Sequence, residues 1–238
     1  RMRHGVRELD RWLADRVRVG LAAPEFADPA TWEHLAARLV DAQCGALANR
    51  VRRVATRIGQ HARWYEDVLA EMAVLHLLAV GLLRTPVLPP DLADGVHTAT
   101  GLTTATADVL AGVPDTDRWV VAGESRTRED RITVQRTWLQ GSRPAADGSP
   151  RWAMLLTFGT VGNEAVSPHP IGSVLDADVH WYPGAMRLRA LVGTVHAPLA
   201  AGVPRAGSVA DTLASAGRMA VAEPWIERVP ICVEAGPV

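Results

Sequence analysis

The sequence predicts an α+β protein, an N-terminal helical domain over residues 1–112 followed by a C-terminal antiparallel β-sheet domain with one helix over residues 113–238. Three observations carry this expectation. Apolar residues recur with the helical period up to about Gly112, whereas beyond Pro114 they fall into short runs of β-formers separated by turn residues. The 238 residues are 48% hydrophobic and 21% charged, enough for real cores in one large domain or two small ones. No internal repeat or low-complexity tract interrupts the pattern, so solenoids and disordered linkers are not favoured.

The elements follow in order. Val6, Leu9, Trp12, Leu13 and Val17 mark one face of a first helix, which Gly20 can close before Pro24 blocks propagation. Asp28 is the candidate N-cap of a second helix, with Pro29 at the first helical position and Trp32, Leu35, Ala36, Leu39 and Val40 as the buried stripe. Gly45 breaks that run, and a third helix turns Leu47, Val51, Val54 and Ile58 inward. A fourth, over about 64–83, buries Val68, Met72, Leu75 and Ala79 before Pro86, Pro89 and Pro90 stop it. Shorter helical pieces are expected over 90–99 and 105–110. Strands are expected over 119–125 and 132–139, flanking a polar turn at 126–130, and then over 152–158, 174–182 and 186–195. Turns fall at Ala146-Asp147-Gly148, Gly162-Asn163 and Pro183-Gly184. A helix over 208–222, stopped by Pro224, and a last strand over 229–233 complete the second half.

Composition excludes several chemistries. The 25 basic and 26 acidic residues leave a net charge of −1, so no overall excess steers the chain to nucleic acid or membrane. Residues 1–84 carry 13 Arg against 10 acids and residues 85–238 carry 12 against 16, a modest asymmetry. Every basic residue is Arg, which removes Schiff-base lysines and phosphate loops that reach the β/γ-phosphates through Lys. Cys44 and Cys232 are too few for a disulfide framework or a four-thiolate metal site, and both are expected to be reduced. The longest apolar stretch, 72–83, is interrupted by His76 and Gly81 and falls short of the ~18 residues of a spanning helix. No secretory signal opens the chain, so the cytoplasm is the expected compartment, without membrane association. The first residue is Arg1 rather than Met, which leads to the expectation of an upstream part.

Two clusters could carry chemistry. Arg50, Arg53 and Arg57 share one helical face in the densest basic run, and no acid occurs between Asp41 and Glu66. They are the candidate contact surface for nucleic-acid phosphates or a protein partner. The bland alternative pairs them with Glu66, Asp67 or Glu71 of the next helix. Asp176, Asp178 and His180 alternate along one strand, so all three face one way, as metal ligands or an acid/base set would. Neighbours on one strand face lie ~6.5 to 7 Å apart, too wide for one metal without outside ligands. A polar outer face opposite Leu175, Ala177, Val179 and Trp181 explains them more simply. The eight tryptophans fall in core-patterned segments and are expected to be mostly core. No nucleophile, dinucleotide or zinc-protease signature is present.

Several segments carry a family resemblance. Leu9-Asp10-Arg11-Trp12-Leu13 and the run from Trp32 to Gln43, then Asp117-Arg118-Trp119, Arg136-Thr137-Trp138-Leu139, Arg151-Trp152-Ala153, Tyr182-Pro183-Gly184 and Glu223-Pro224-Trp225, resemble bacterial SWIM zinc-finger family proteins of the actinobacterial kind. The all-Arg, Ala-rich composition fits a high-GC genome. In that family the C-x-C…C-x-H finger lies upstream of the region resembled, and this chain has no such cluster. The resemblance therefore implies no cofactor in this chain, with zinc only in an upstream finger. It implies a non-catalytic accessory or adaptor region offering a contact surface. Implied partners are a MoxR-type AAA ATPase or a von Willebrand A-domain protein, with nucleic acid as a further candidate. The competing reading is a metal-dependent hydrolase built on Asp176, Asp178 and His180.

Overall fold

The computed structural model describes residues 1–129, 132–160, 166–197 and 200–234. The chain divides into two compact units, Arg1–Thr103 with Glu223–Trp225, and Thr104–Ala222 with Ile226–Val238.

The first unit is helical. It contains α1 (Met2–Val19), the short α2 (Pro24–Ala27), α3 (Pro29–Asp41), α4 (Gly45–Ala55), α5 (Trp64–Arg84), a 3-10 turn (Thr85–Val87) and α6 (Pro90–Thr100). Asp28 caps α3 as its sequence predicts, accepting the Ala30 N–H at 3.0 Å, with Pro29 at the first helical position. Helix α3 packs on α4 and α1 on α5, while α6 closes against α4 and α5. The buried stripes meet in one core that includes Val6, Leu9, Leu35, Leu39, Val51, Met72, Leu75 and Leu78. Val17 and Val40, expected in those stripes, are exposed instead, since each lies in the last turns of its helix.

An aromatic knot ties the chain entry to this core. Trp32 is 1% exposed and packs edge-on against Trp12 at 5.1 Å and Phe26 at 5.0 Å. Phe26 in turn stacks near Trp64. The Trp32 indole N–H donates to the Phe26 carbonyl at 2.9 Å, so its one polar atom is satisfied within the knot. Phe26 sits on α2, where Pro24 starts a helical turn rather than merely ending the previous one.

The second unit begins with α7 (Thr106–Leu110). Its sheet contains β1 (Asp115–Glu129), β2 (Ile132–Pro144), β3 (Pro150–Thr160), β4 (Ser173–Trp181), β5 (Ala190–Val195) and β6 (Ala200–Ala201), followed by α8 (Val209–Ala222). The order is β3-β2-β1-β4-β5, with β6 also on β4, and every named pairing is antiparallel. Trp119, Val121, Leu139, Ala153, Leu175, Ala177 and Val179 fill one core, while Trp152, Leu188 and Met219 of α8 form a second. Ser208 starts α8 by a reciprocal cap, accepting the Asp211 N–H at 3.1 Å and donating to its carboxylate at 2.6 Å.

Three expectations are corrected here. The polar run 126–129 continues β1 rather than forming a turn, because Arg126 pairs with Gln135 and Thr127 with Val134 across the ladder. Residues 186–189 precede β5 as an irregular segment. The final strand over 229–233 is reduced to one isolated bridge, between Val233 and Gly207. The expected turn at Gly162-Asn163 lies outside the described residues.

One buried carboxylate organises the sheet end. Asp117 accepts from the Ser142 hydroxyl at 2.5 Å, the Arg118 N–H at 2.8 Å and the Arg143 N–H at 3.1 Å, and it pairs with Arg151. Burial alone would push its carboxyl up, but those donors and the Arg151 guanidinium outweigh burial and hold it below the usual carboxylate range. Arg151 also reaches Asp115 and lies over the Trp119 ring at 5.1 Å.

The knot yields a stability prediction. Trp32→Ala should cost about 3 to 5 kcal/mol, read as a lower urea midpoint. An unchanged midpoint would show that the knot does not hold the bundle.

Candidate functional site

The arginine run resolves into internal pairs. Arg50 is buried: its Nε donates to Glu71 Oε2 at 3.0 Å and its Nη1 to the Trp225 carbonyl at 3.2 Å. Arg57 takes the other oxygen of Glu71 at 3.1 Å. Glu71, an acid on the next helix as the bland alternative supposed, thus bridges two of the three arginines. Arg53 is exposed on the same helix, and Arg52 forks onto Glu33 of α3 at 2.7 Å. The other two candidate acids go elsewhere, Glu66 to Arg63 and Asp67 to His61. The three arginines therefore do not form one solvent-facing row.

Removing one member of a buried pair strands the other. Glu71→Gln should destabilise the protein by about 3 to 5 kcal/mol in chemical denaturation, because the buried Arg50 guanidinium loses the carboxylate to which it donates. A loss under about 1 kcal/mol would place the pair among ordinary surface bridges.

Asp176, Asp178 and His180 do share one face of β4, opposite Leu175, Ala177 and Val179. Asp178 and His180 have separate engagements, while Asp176 adds its charge to that of Asp178 near His196. Thr116 of β1 donates to Asp178 Oδ1 at 2.5 Å, and His196, just past β5, meets the same oxygen at 2.9 Å. His180 is buried, its Nδ1 lying 3.1 Å from the Gly112 carbonyl after α7. A Cβ on Gly193 would come within 2.7 Å of the His180 ring, so glycine there gives the imidazole its space. Among the described residues, no three His, Cys, Asp or Glu side chains gather as a metal-holding group. Cys44 packs in the helical core, where burial pushes its thiol up, and Cys232 packs against the Trp152 cluster; both are free thiols.

The Asp178–His196 pair is a pH-dependent clasp. Hydrogen bonds from Thr116 and His196 hold Asp178 below the usual carboxylate range, and Asp178 holds His196 above the usual histidine range. A raised histidine stabilises fully below its unfolded value of about 6.5 and loses that contribution as pH rises through its folded value. A lowered aspartate contributes above about 3.9 and loses it as pH falls. His196→Ala should therefore lower the urea midpoint more at about pH 5.5 than at about pH 9. An equal loss at both would contradict the clasp.

A further surface emerges only from the structure. Helix α5 with its 3-10 extension, Trp64–Val87, is by length and composition apolar enough to cross a membrane, and 33% of its most apolar window is buried. The apolar stretch 72–83 singled out in the sequence is only part of this longer helix. Val68, Met72, Leu75, Leu78, Ala79 and Leu82 face the bundle core. Tyr65, Leu69 and Leu77 face away, each nearly half exposed, and with Ala73 they form an i+4 row. Helix α1 borders this face. Arg3 Nη2 donates to the Leu83 carbonyl at 2.9 Å, and Asp10 pairs with His76. Arg3, Arg7 and Arg11, themselves at i+4 spacing, are exposed along α1 and make no ion pair among the described residues. Periodicity could reveal the apolar excess of α5 but not which of its sides neighbours leave uncovered.

Residues 1–100 match the family described as a SWIM-associated four-helix bundle domain. No curated protein and no solved structure matches the chain.

Proposed function

We propose, for a chain whose residues 1–100 match the SWIM-associated four-helix bundle family, a non-catalytic adaptor role, in which this region of a SWIM-family protein docks a partner protein while an upstream finger carries the zinc. The observation that supports it is the outer face of α5. A helix apolar on nearly all sides is normally a core helix, yet Tyr65, Leu69, Ala73 and Leu77 lie open. Arg3, Arg7 and Arg11 lie exposed along the bordering helix α1, so the fitting occupant is an amphipathic helix whose apolar stripe is edged by acidic side chains. A protein partner fits better than a nucleic acid, because Arg50 and Arg57 are engaged by Glu71 and Arg52 by Glu33. A spanning role is costly for a helix that carries ion-paired Glu71 and His76 in its middle. The partner classes to test first are the MoxR-type AAA ATPase and the von Willebrand A-domain protein implied by the resemblance.

The test replaces the row at its half-exposed positions. Leu69→Ser with Leu77→Ser should leave the fold intact by circular dichroism and weaken the partner complex at least about tenfold in calorimetric titration. Arg53→Gln should change affinity by less than about threefold. Full binding by the double serine variant, or binding of the parent to phosphatidylcholine vesicles in place of both partners, would refute the reading.

A further inference from the structure

The sheet unit contains a cleft of about 530 Å3, a size that suits a small organic ligand. Its walls are the turn between β2 and β3, the irregular segment 185–188 and the Ser215-to-Met219 side of α8. The lining pairs an apolar interior with a charged mouth. Trp152, Leu188 and Met219 are buried at its base, and Trp181 forms part of the wall. The Trp181 indole N–H is buried and meets no acceptor among the described residues, so one donor in this wall is unsatisfied.

The mouth carries Asp115, Asp147, Arg151, Arg187 and Arg218. Arg151 is taken by Asp115 and Asp117, and Arg218 Nε lies 3.0 Å from Asp147. Arg187 is exposed and has no ion-pair partner among the described residues. With the other charges matched, the mouth presents one surplus positive charge beside an apolar hollow. We propose that this cleft binds a small amphipathic monoanion, an aromatic or branched aliphatic body bearing one carboxylate. The body would fill the space over Trp152, Leu188 and Met219, and the carboxylate would meet Arg187 as a charge-assisted acceptor. This site is independent of the α5 face, and neither reading rests on the other.

Calorimetric titration of the whole chain with naphthylacetate, and with naphthylethanol as its neutral counterpart, tests the assignment. Naphthylacetate should bind with a Kd below about 1 mM and at least about tenfold more tightly than the alcohol. Arg187→Gln should abolish that preference while the alcohol binds as before. Ser215→Trp, which fills the cleft from α8, should abolish binding of both; should it fail to fold by circular dichroism, Ala185→Trp fills the same space from the opposite wall. In nitrogen-edited NMR the Trp181 indole resonance, assigned through Trp181→Phe, should move on titration. No saturable binding, or equal binding of the acid by parent, Arg187→Gln and the filled cleft, would overturn the proposal.

Discussion

Helix α5 is apolar on more sides than the bundle around it can cover, and the first unit is arranged around that constraint. Its inner face supplies Met72, Leu75, Leu78 and Leu82 to the core, so α1, α4 and α6 all pack on it. Burying a side chain of that size gains roughly 1.5 to 3 kcal/mol, which makes the inner face the natural seat of the fold. The outer face gains far less from folding, with Tyr65, Leu69 and Leu77 each left about half exposed. A half-exposed Leu69 or Leu77 keeps apolar surface in water that an association can still remove.

Most of the charge in the bundle is paired off between helices and away from that face. Lacking lysine, the chain uses guanidinium forks to join helices: Arg50 and Arg57 share Glu71, Arg52 grips Glu33 and Arg38 meets Glu8. Those pairs neutralise the densest basic run within the bundle. The surplus positive charge falls instead on α1, along Arg3, Arg7 and Arg11, beside the apolar row. The sheet unit repeats the logic at Asp117, where one buried carboxylate gathers two arginines and a serine from β2 and β3. Such a network holds strand ends in register through complementary donors.

Most of the architecture was legible in the sequence because period and punctuation are local. The change of period near Pro114, the Asp28-Pro29 helix start and the Ser208 start of α8 all rest on interactions within a few residues. The misses are non-local. Residues 126–129 are polar enough for a turn, yet ladder bonds to Gln135 and Val134 make them strand. Residues 229–233 have β-formers but only Gly207 as a bridge partner. Spacing on one helix placed Arg50 among Arg53 and Arg57; only tertiary packing could show that Arg50 is buried against Glu71 and the Trp225 carbonyl. His196 joins Asp178 across the ladder from 18 residues away, and no periodic signal links the two.

The account turns on α5 being the docking face. Methyl and guanidinium NMR of the chain, recorded with and without each proposed protein partner, tests that most directly. Perturbations should gather on the methyls of Leu69, Ala73 and Leu77 and on the Nε–H groups of Arg3, Arg7 and Arg11, leaving Arg50 unmoved. Perturbations centred on Arg53 and Arg57, with Leu69 and Leu77 silent, would contradict it.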